Sequence, residues 1–175
     1  MTQQPKHFET SSSIDNFLRR DNFDDIALTS KHKYEHWYAT LLTSIALLAA
    51  EDDVQYAYAN YQPTMPDVRI SVFTTNLVIV AEVDTTSDGV PVVEAVPRTS
   101  LASIMLSTSE KIDAREGRSY EWPGAINLRL TYRGLKKSIE IIVDGMNHYA
   151  ADKPSPVVAF IESLTADIAT GRGID

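Results

Sequence analysis

Cysteine does not occur in this chain of 175 residues. Disulfide frameworks, thiolate metal sites and thiol nucleophiles are therefore excluded, and a reducing, cytoplasmic setting is expected. Long hydrophobic runs are missing too. The most apolar stretch, residues 39–50, holds two Thr and a Ser and runs straight into Glu51-Asp52-Asp53, where a bilayer span needs about 20 apolar positions. The first ten residues contain no apolar core of a secretory signal, so a soluble protein is expected, with membrane contact at most peripheral. Positive charge is in short supply: 16 Lys and Arg stand against 24 Asp and Glu, a formal net charge of −8. That balance repels a phosphate backbone, and no nucleic-acid partner is expected. A phosphate-cradling Gly-rich loop, a G-x-S-x-G elbow and a dinucleotide fingerprint are all missing. No catalytic residue is nominated, no cofactor is expected, and the chain is read as a non-enzyme.

What is present is ordinary globular composition, with 43% hydrophobic and 23% charged residues. Residues 1–13 are polar, carry Pro5 and end in Ser11-Ser12-Ser13, a composition that predicts a flexible tail. Ser13 is the predicted N-cap of a short helix through Ile14, Phe17 and Leu18. Ser30 is the predicted cap of a stronger helix over 31–50, in which Tyr34, Trp37, Tyr38, Leu41, Ile45 and Leu48 recur at three- and four-residue intervals and form one apolar face. Glu51 to Asp53 would oppose the negative end of its macrodipole, so the helix should stop before them. Residues 14–52 are thus expected as an N-terminal helical extension, with an apolar face in search of a partner, either the sheet or a second subunit in a homo-oligomer.

From Val54 the period changes to two. Strands are predicted near 54–61, 68–75, 77–84, 92–97, 101–107, 125–133 and 138–144, separated by Pro63 and Pro66, Thr75-Asn76, Asp88-Gly89, Pro123-Gly124 and Gly134. Val54, Tyr56 and Tyr58, then Val68, Ile70 and Val72, then Ile126, Leu128, Leu130 and Tyr132 each alternate with other side chains and predict one buried face. The nearly continuous apolar run 77–83 predicts a central strand covered on both sides. Short connections favour antiparallel pairing. A last helix is well marked: Ser155 as N-cap, Pro156 at the first helical position, Val157, Phe160, Ile161, Leu164 and Ile168 on one face, and Gly171 as the stop. The fold class is α+β.

This order, seven antiparallel strands and one closing amphipathic helix, resembles the pleckstrin-homology-like barrel over residues 54–169. The segments Val72-Phe73-Thr74-Thr75-Asn76-Leu77-Val78-Ile79-Val80 and Val96-Pro97-Arg98-Thr99-Ser100-Leu101-Ala102-Ser103-Ile104 are similar to strand-turn-strand and proline-led strand starts in its bacterial and GRAM-like members. Two departures stand out. The closing helix offers Phe160 where many members carry Trp, and the loop 62–67 has no cation, leaving Arg69 alone. The resemblance therefore implies a binding scaffold without the phosphoinositide site, one that recognises a protein or peptide.

Three patterns carry candidate chemistry. Lys111, Arg115, Arg118, Arg129, Arg133, Lys136 and Lys137 face only Asp113, Glu116 and Glu121 within 111–137, a local net of +4. They nominate a site for an acidic partner or an anionic lipid headgroup. Outward strand positions explain Arg129 and Arg133 equally well, with Glu140 placed to pair with one of them. His32-Lys33-Tyr34-Glu35-His36 matches the H-x-x-E-H of inverted zinc peptidases, an alternative function as a small zinc hydrolase. On the helical wheel, however, His32 and His36 point away from the apolar face, where an enclosing shell would be missing, and no metal is assigned. Tyr56, Tyr58, Tyr120 and Trp122 suggest a peptide groove, although aromatics at strand spacing serve equally as core. His148 with Asp144 is explained by a turn following a strand, and Glu51 to Asp53 by hydration at a helix end.

Overall fold

The computed structural model describes residues 6–21, 36–61, 67–85, 90–109, 125–143 and 156–171. Along the chain lie α1 (Lys6–Asp21), α2 (His36–Ala49), β1 (Val54–Tyr61), β2 (Asp67–Thr74), β3 (Leu77–Asp84), β4 (Val92–Pro97), a 3₁₀ turn (Arg98–Ser100), β5 (Leu101–Thr108), β6 (Ile126–Tyr132), β7 (Ile139–Val143) and α3 (Pro156–Gly171). Strands β1 to β4 form one sheet in sequential order and β5 to β7 a second. Every paired neighbour is antiparallel, as short connections require. No pairing among the described residues closes the strands into a barrel. The chain forms two compact units, residues 1–100 and 101–175.

In the first unit the helices share a core with the sheet. Ile14 and Leu18 of α1 and Trp37, Tyr38, Leu41, Ile45 and Ala49 of α2 meet Ala57, Ala59, Val68, Ile70, Val72, Ile79, Ala81 and Val83. The register places Ala57, Val72 and Ile79 in one row and Ala59, Ile70 and Ala81 in the next. Alanines in these rows let the larger helical side chains settle between the strands, the alternation of large and small on which dense packing depends.

α1 starts at Lys6, well before the predicted Ser13 cap. The reason is packing: Thr10 is buried one turn ahead of Ile14 on the same face, so the docking stripe outweighs the poor helix propensity of the serine run. Two polar contacts align the helices, Tyr38 Oη donating to Asp15 Oδ1 at 2.8 Å and Lys6 Nζ donating to the Glu51 carbonyl. The face predicted for α2 is nearly right. Leu48 is 42% exposed and Ala49 is buried in its place, because the sheet accepts a small residue at the last turn.

That helix ends before Glu51, as its dipole predicts. Ala50 follows with φ of 51° and its N–H on the Ala46 carbonyl, a left-handed terminator that glycine usually supplies. β1 and β2 depart from the expected single buried face, since Tyr56 to Ala59 and Ile70 to Thr74 are buried without interruption. β3 is covered on both sides as expected, with Val78 to Ala81 all buried.

In the second unit β6 keeps strict alternation: Ile126, Leu128, Leu130 and Tyr132 are buried and the residues between them exposed. Ile139, Ile141 and Val143 of β7 extend that buried face. α3 begins at Pro156 as predicted and packs on β5, with Val157, Phe160 and Leu164 buried and Ile161 and Ile168 half-buried. Each fully buried aliphatic contributes about 1.5–3 kcal/mol before its ordering entropy is subtracted.

Candidate functional site

Four of the seven cations nominated from the sequence, Arg129, Arg133, Lys136 and Lys137, are among the described residues. Lys111, Arg115 and Arg118 lie outside the described residues. Arg129, on the outward face of β6, faces Glu140 across the ladder and donates to its Oε1 from both Nε, at 2.9 Å, and Nη2. Of the two arginines that alternation offered to Glu140, Arg129 is the one paired with it. Arg133, Lys136 and Lys137 are exposed in the connection between β6 and β7, where Gly134 reverses the chain at φ 97°. That conformation is open to glycine and strained for other residues. Among the described residues the nominated cations are thus one strand position paired with Glu140 and three exposed positions in the β6–β7 connection.

His32 and Glu35 of the zinc pattern lie outside the described residues. His36 opens α2 on its exposed side, with Nδ1 3.4 Å from Thr40 Oγ1. No group of three metal-ligating side chains converges among the described residues. His148, Asp144, Tyr120 and Trp122 are likewise outside the described residues. Tyr56 and Tyr58 are buried, with the Tyr56 ring 6.4 Å from Phe73 and 6.2 Å, edge-on, from Phe17, so they serve the core.

Of the acidic trio, Asp52 is more than hydrated. Its Oδ1 accepts from Asn76 Nδ2 at 2.7 Å and its Oδ2 from Thr74 Oγ1 at 3.1 Å, while the Asp53 carbonyl accepts from the Thr75 N–H. Thr74 Oγ1 in turn accepts the Leu77 N–H at 2.9 Å. Arg98, only 5% exposed, donates from Nη1 to the Thr74 carbonyl and from its own N–H to the Asn76 carbonyl. This network clasps the β2–β3 turn from both sides. Its work is structural.

Among the described strands β5 is the most open. Four strands end the two sheets, and three of them are protected in ways proteins use against edge-to-edge pairing. β1 is buried along its centre and covered by α1, β4 carries Glu94 and Pro97, and β7 carries Glu140. β5, Leu-Ala-Ser-Ile-Met-Leu-Ser-Thr, has neither charge nor proline, and only Leu101 is fully buried. Met105 is 63% exposed on the outward face and Leu106 48% on the inward face.

Among the described residues β6 is its one strand partner. Just past β5, the Ser109 N–H bonds the Ala125 carbonyl on the β6 side. By alternation the backbone groups of Ile104 and Leu106 point the other way, to the open edge. Their side chains meanwhile continue the apolar rows begun by Leu130 and Leu128. Neither residue was nominated from the sequence. The signal that marks them is negative, eight strand residues with no gatekeeper.

No family model, characterised protein or solved structure matches the chain. Among the described residues no helix is long and apolar enough to cross a membrane.

Proposed function

We propose that the chain is a non-catalytic binding module of the pleckstrin-homology-like kind, acting in the cytoplasm, that takes up an extended segment of a protein partner by strand addition along β5. The observation that carries this is the eight-residue, uncharged, largely exposed edge of the second sheet, with Ile104 and Leu106 turning backbone groups outward and apolar side chains toward the core face. An added strand gains main-chain hydrogen bonds from such an edge and side-chain pockets at every second residue. What supports the kinship is the strand meander, four then three, followed by one helix on β5.

The test is titration of ¹⁵N-labelled full-length protein with a ten-residue peptide of alternating valine and threonine. Amide shifts concentrated at Ile104, Leu106 and neighbouring β5 residues are expected. Shifts that bypass β5, or none at millimolar peptide, would remove the reading.

A second reading, recognition of anionic lipid headgroups, is favoured by the three exposed cations at Arg133, Lys136 and Lys137. Co-sedimentation with phosphatidylserine vesicles, abolished by moderate salt, would support it. The helices also leave Phe8, Leu47 and Leu48 exposed, residues through which a homo-oligomer would form. Sedimentation velocity of a Leu47→Lys variant tests that arrangement.

A further inference from the structure

The centre of β5 has the same chemistry read in either direction. Ser103-Ile104-Met105-Leu106-Ser107 places a serine at each end, an aliphatic residue inside each serine and one methionine in the middle. The register with β6 sorts these five side chains by face. Ile104 and Leu106 lie opposite Leu130 and Leu128 on the inward side, while Ser103, Met105 and Ser107 lie opposite Thr131, Arg129 and Asn127 on the outward side. The same alternation turns the backbone groups of the three outward residues to β6 and those of Ile104 and Leu106 to the open edge.

An antiparallel copy of the strand, turned about a two-fold axis through Met105, meets this pattern residue for residue. Ile104 comes opposite Leu106 of the second copy and Leu106 opposite its Ile104, so the edge groups of both residues exchange hydrogen bonds. On the inward face the apolar rows begun by Leu130 and Leu128 then run on across the axis. On the outward face Ser103 comes opposite Ser107, hydroxyl to hydroxyl, and Met105 meets itself. β5 carries no charge, so its ladder sets no like charges against each other. We infer, resting on the strand-addition reading above, that the strand received by β5 is β5 of a second copy of this chain, paired antiparallel about Met105 in a two-fold dimer.

Closure separates this pairing from open-ended aggregation. A two-fold contact uses the same edge on both copies at once, so it ends with the dimer. The resulting order β7-β6-β5-β5-β6-β7 has β7 on both flanks, where Glu140 works against further addition. Leu106, 48% exposed, and half-buried Ile104 lose water on the inward face, and Met105, 63% exposed, is covered on the outward one. The register uses positions 103–107 alone, past the irregularity between Leu101 and Ser103, and so does not depend on what flanks the strand. A ladder of that length falls short of a standard interface of about 1,600 Å², so the dimer is reversible and grows with concentration.

Because the chain has no cysteine, a single introduced thiol reads the register directly. The two Met105 positions form a non-hydrogen-bonded pair with Cα atoms about 4.5 Å apart, inside the span of about 4.4–6.8 Å that a disulfide bridges. Mild oxidation of full-length Met105→Cys is therefore expected to give covalent dimer at least about tenfold faster than Ser103→Cys or Ser107→Cys alone, whose like positions stand about 14 Å apart. Mixing the two serine variants should restore linkage, since 103 faces 107. Sedimentation velocity of the unaltered chain should show a dimer fraction that rises with concentration. Met105→Lys, at an exposed position where the fold tolerates change, should abolish it by setting like charges opposite each other. The ten-residue valine-threonine peptide should compete with it.

A chain that stays monomeric at millimolar concentration, while the peptide still shifts the amides of Ile104 and Leu106, overturns the second-copy inference and leaves strand addition standing. Failure of both removes strand addition, and the inference with it. Equal linkage rates for the three single-site variants, or no gain on mixing the serine pair, overturn the two-fold register about Met105. A dimer that survives Met105→Lys and dissolves in Leu47→Lys belongs to the helices, and that outcome overturns the inference as well.

Discussion

β2 and β6 hold equivalent places, each hydrogen-bonded on both sides in its own sheet, yet they are packed differently. From Ile70 to Thr74 every side chain of β2 is buried, so both faces are covered. β6 alternates without exception, and one face meets solvent. The backbone ladders are the same kind, so the contrast comes from the side chains: Ile-Ser-Val-Phe-Thr in one, Ile-Asn-Leu-Arg-Leu-Thr-Tyr in the other. Where apolar residues occupy successive positions, water is excluded on both faces and any polar group there must find a partner. Thr74 does so, in the Asp52 and Leu77 contacts. Where charged and amide side chains alternate, the strand keeps a wet face, and interaction surfaces are drawn from such places. Charge follows the same division, since residues 1–100 carry a formal −7 and residues 101–175 a formal −1.

The largest expected effects would break or uphold that contrast directly. Phe73→Ala and Ile70→Ala, on opposite faces of β2, should cost about 3–5 and 2–5 kcal/mol respectively. On β6, Leu128→Ala should cost about 2–5 kcal/mol while its neighbour Asn127→Ala stays within about 0.5 kcal/mol. Urea midpoints at constant m-value read all four. If Phe73→Ala proved as mild as Asn127→Ala, β2 would have one working face and the contrast would be gone.

A buried arginine and a left-handed alanine sharpen it at the next level down. Removing Arg98, buried and donating to the Thr74 carbonyl, should cost about 1.5–3 kcal/mol, because a buried acceptor loses a charged donor. The loss should be insensitive to salt. Ala50→Gly should act in the opposite direction, raising stability by about 1 kcal/mol through relief of the left-handed backbone at φ 51°. A denaturation midpoint that does not rise would show that the helix terminator is already unstrained.

How much of this was legible in the sequence depends on whether the information was local. All seven strands, the end of α2 before Glu51 and the Pro156 start of α3 follow from period, caps and breakers, which act over a few residues. A cross-strand partner for Glu140 does too, because alternation and a short hairpin put it beside the outward arginines of β6, of which Arg129 takes the place. What escaped is non-local. The early start of α1 depends on Thr10 finding a place in the core, and the exposure of Leu48 depends on which side chain the sheet admits. The burial of Arg98 and the use of Asp52 depend on a turn more than twenty residues from each. The candidate edge was hidden for another reason: a strand looks the same in sequence whether or not a neighbour lies beside it, and only the sheet order shows β5 to be terminal.

The smallest effect tests whether the wet face of β6 contributes to stability at all. Arg129 and Glu140 face each other on the ladder, with side chains 53% and 40% exposed. Solvent screens their attraction, and two long side chains lose rotamer freedom in holding it. A double-mutant cycle with Arg129→Ala and Glu140→Ala should give a coupling of about 0.2–1 kcal/mol at low salt, close to zero at 1 M. A larger coupling that survives high salt would mean the pair is shielded from solvent. The outward face of the second sheet would then be a covered surface like those of β2, and the argument that β5 lies beside a face open to partners would lose its footing.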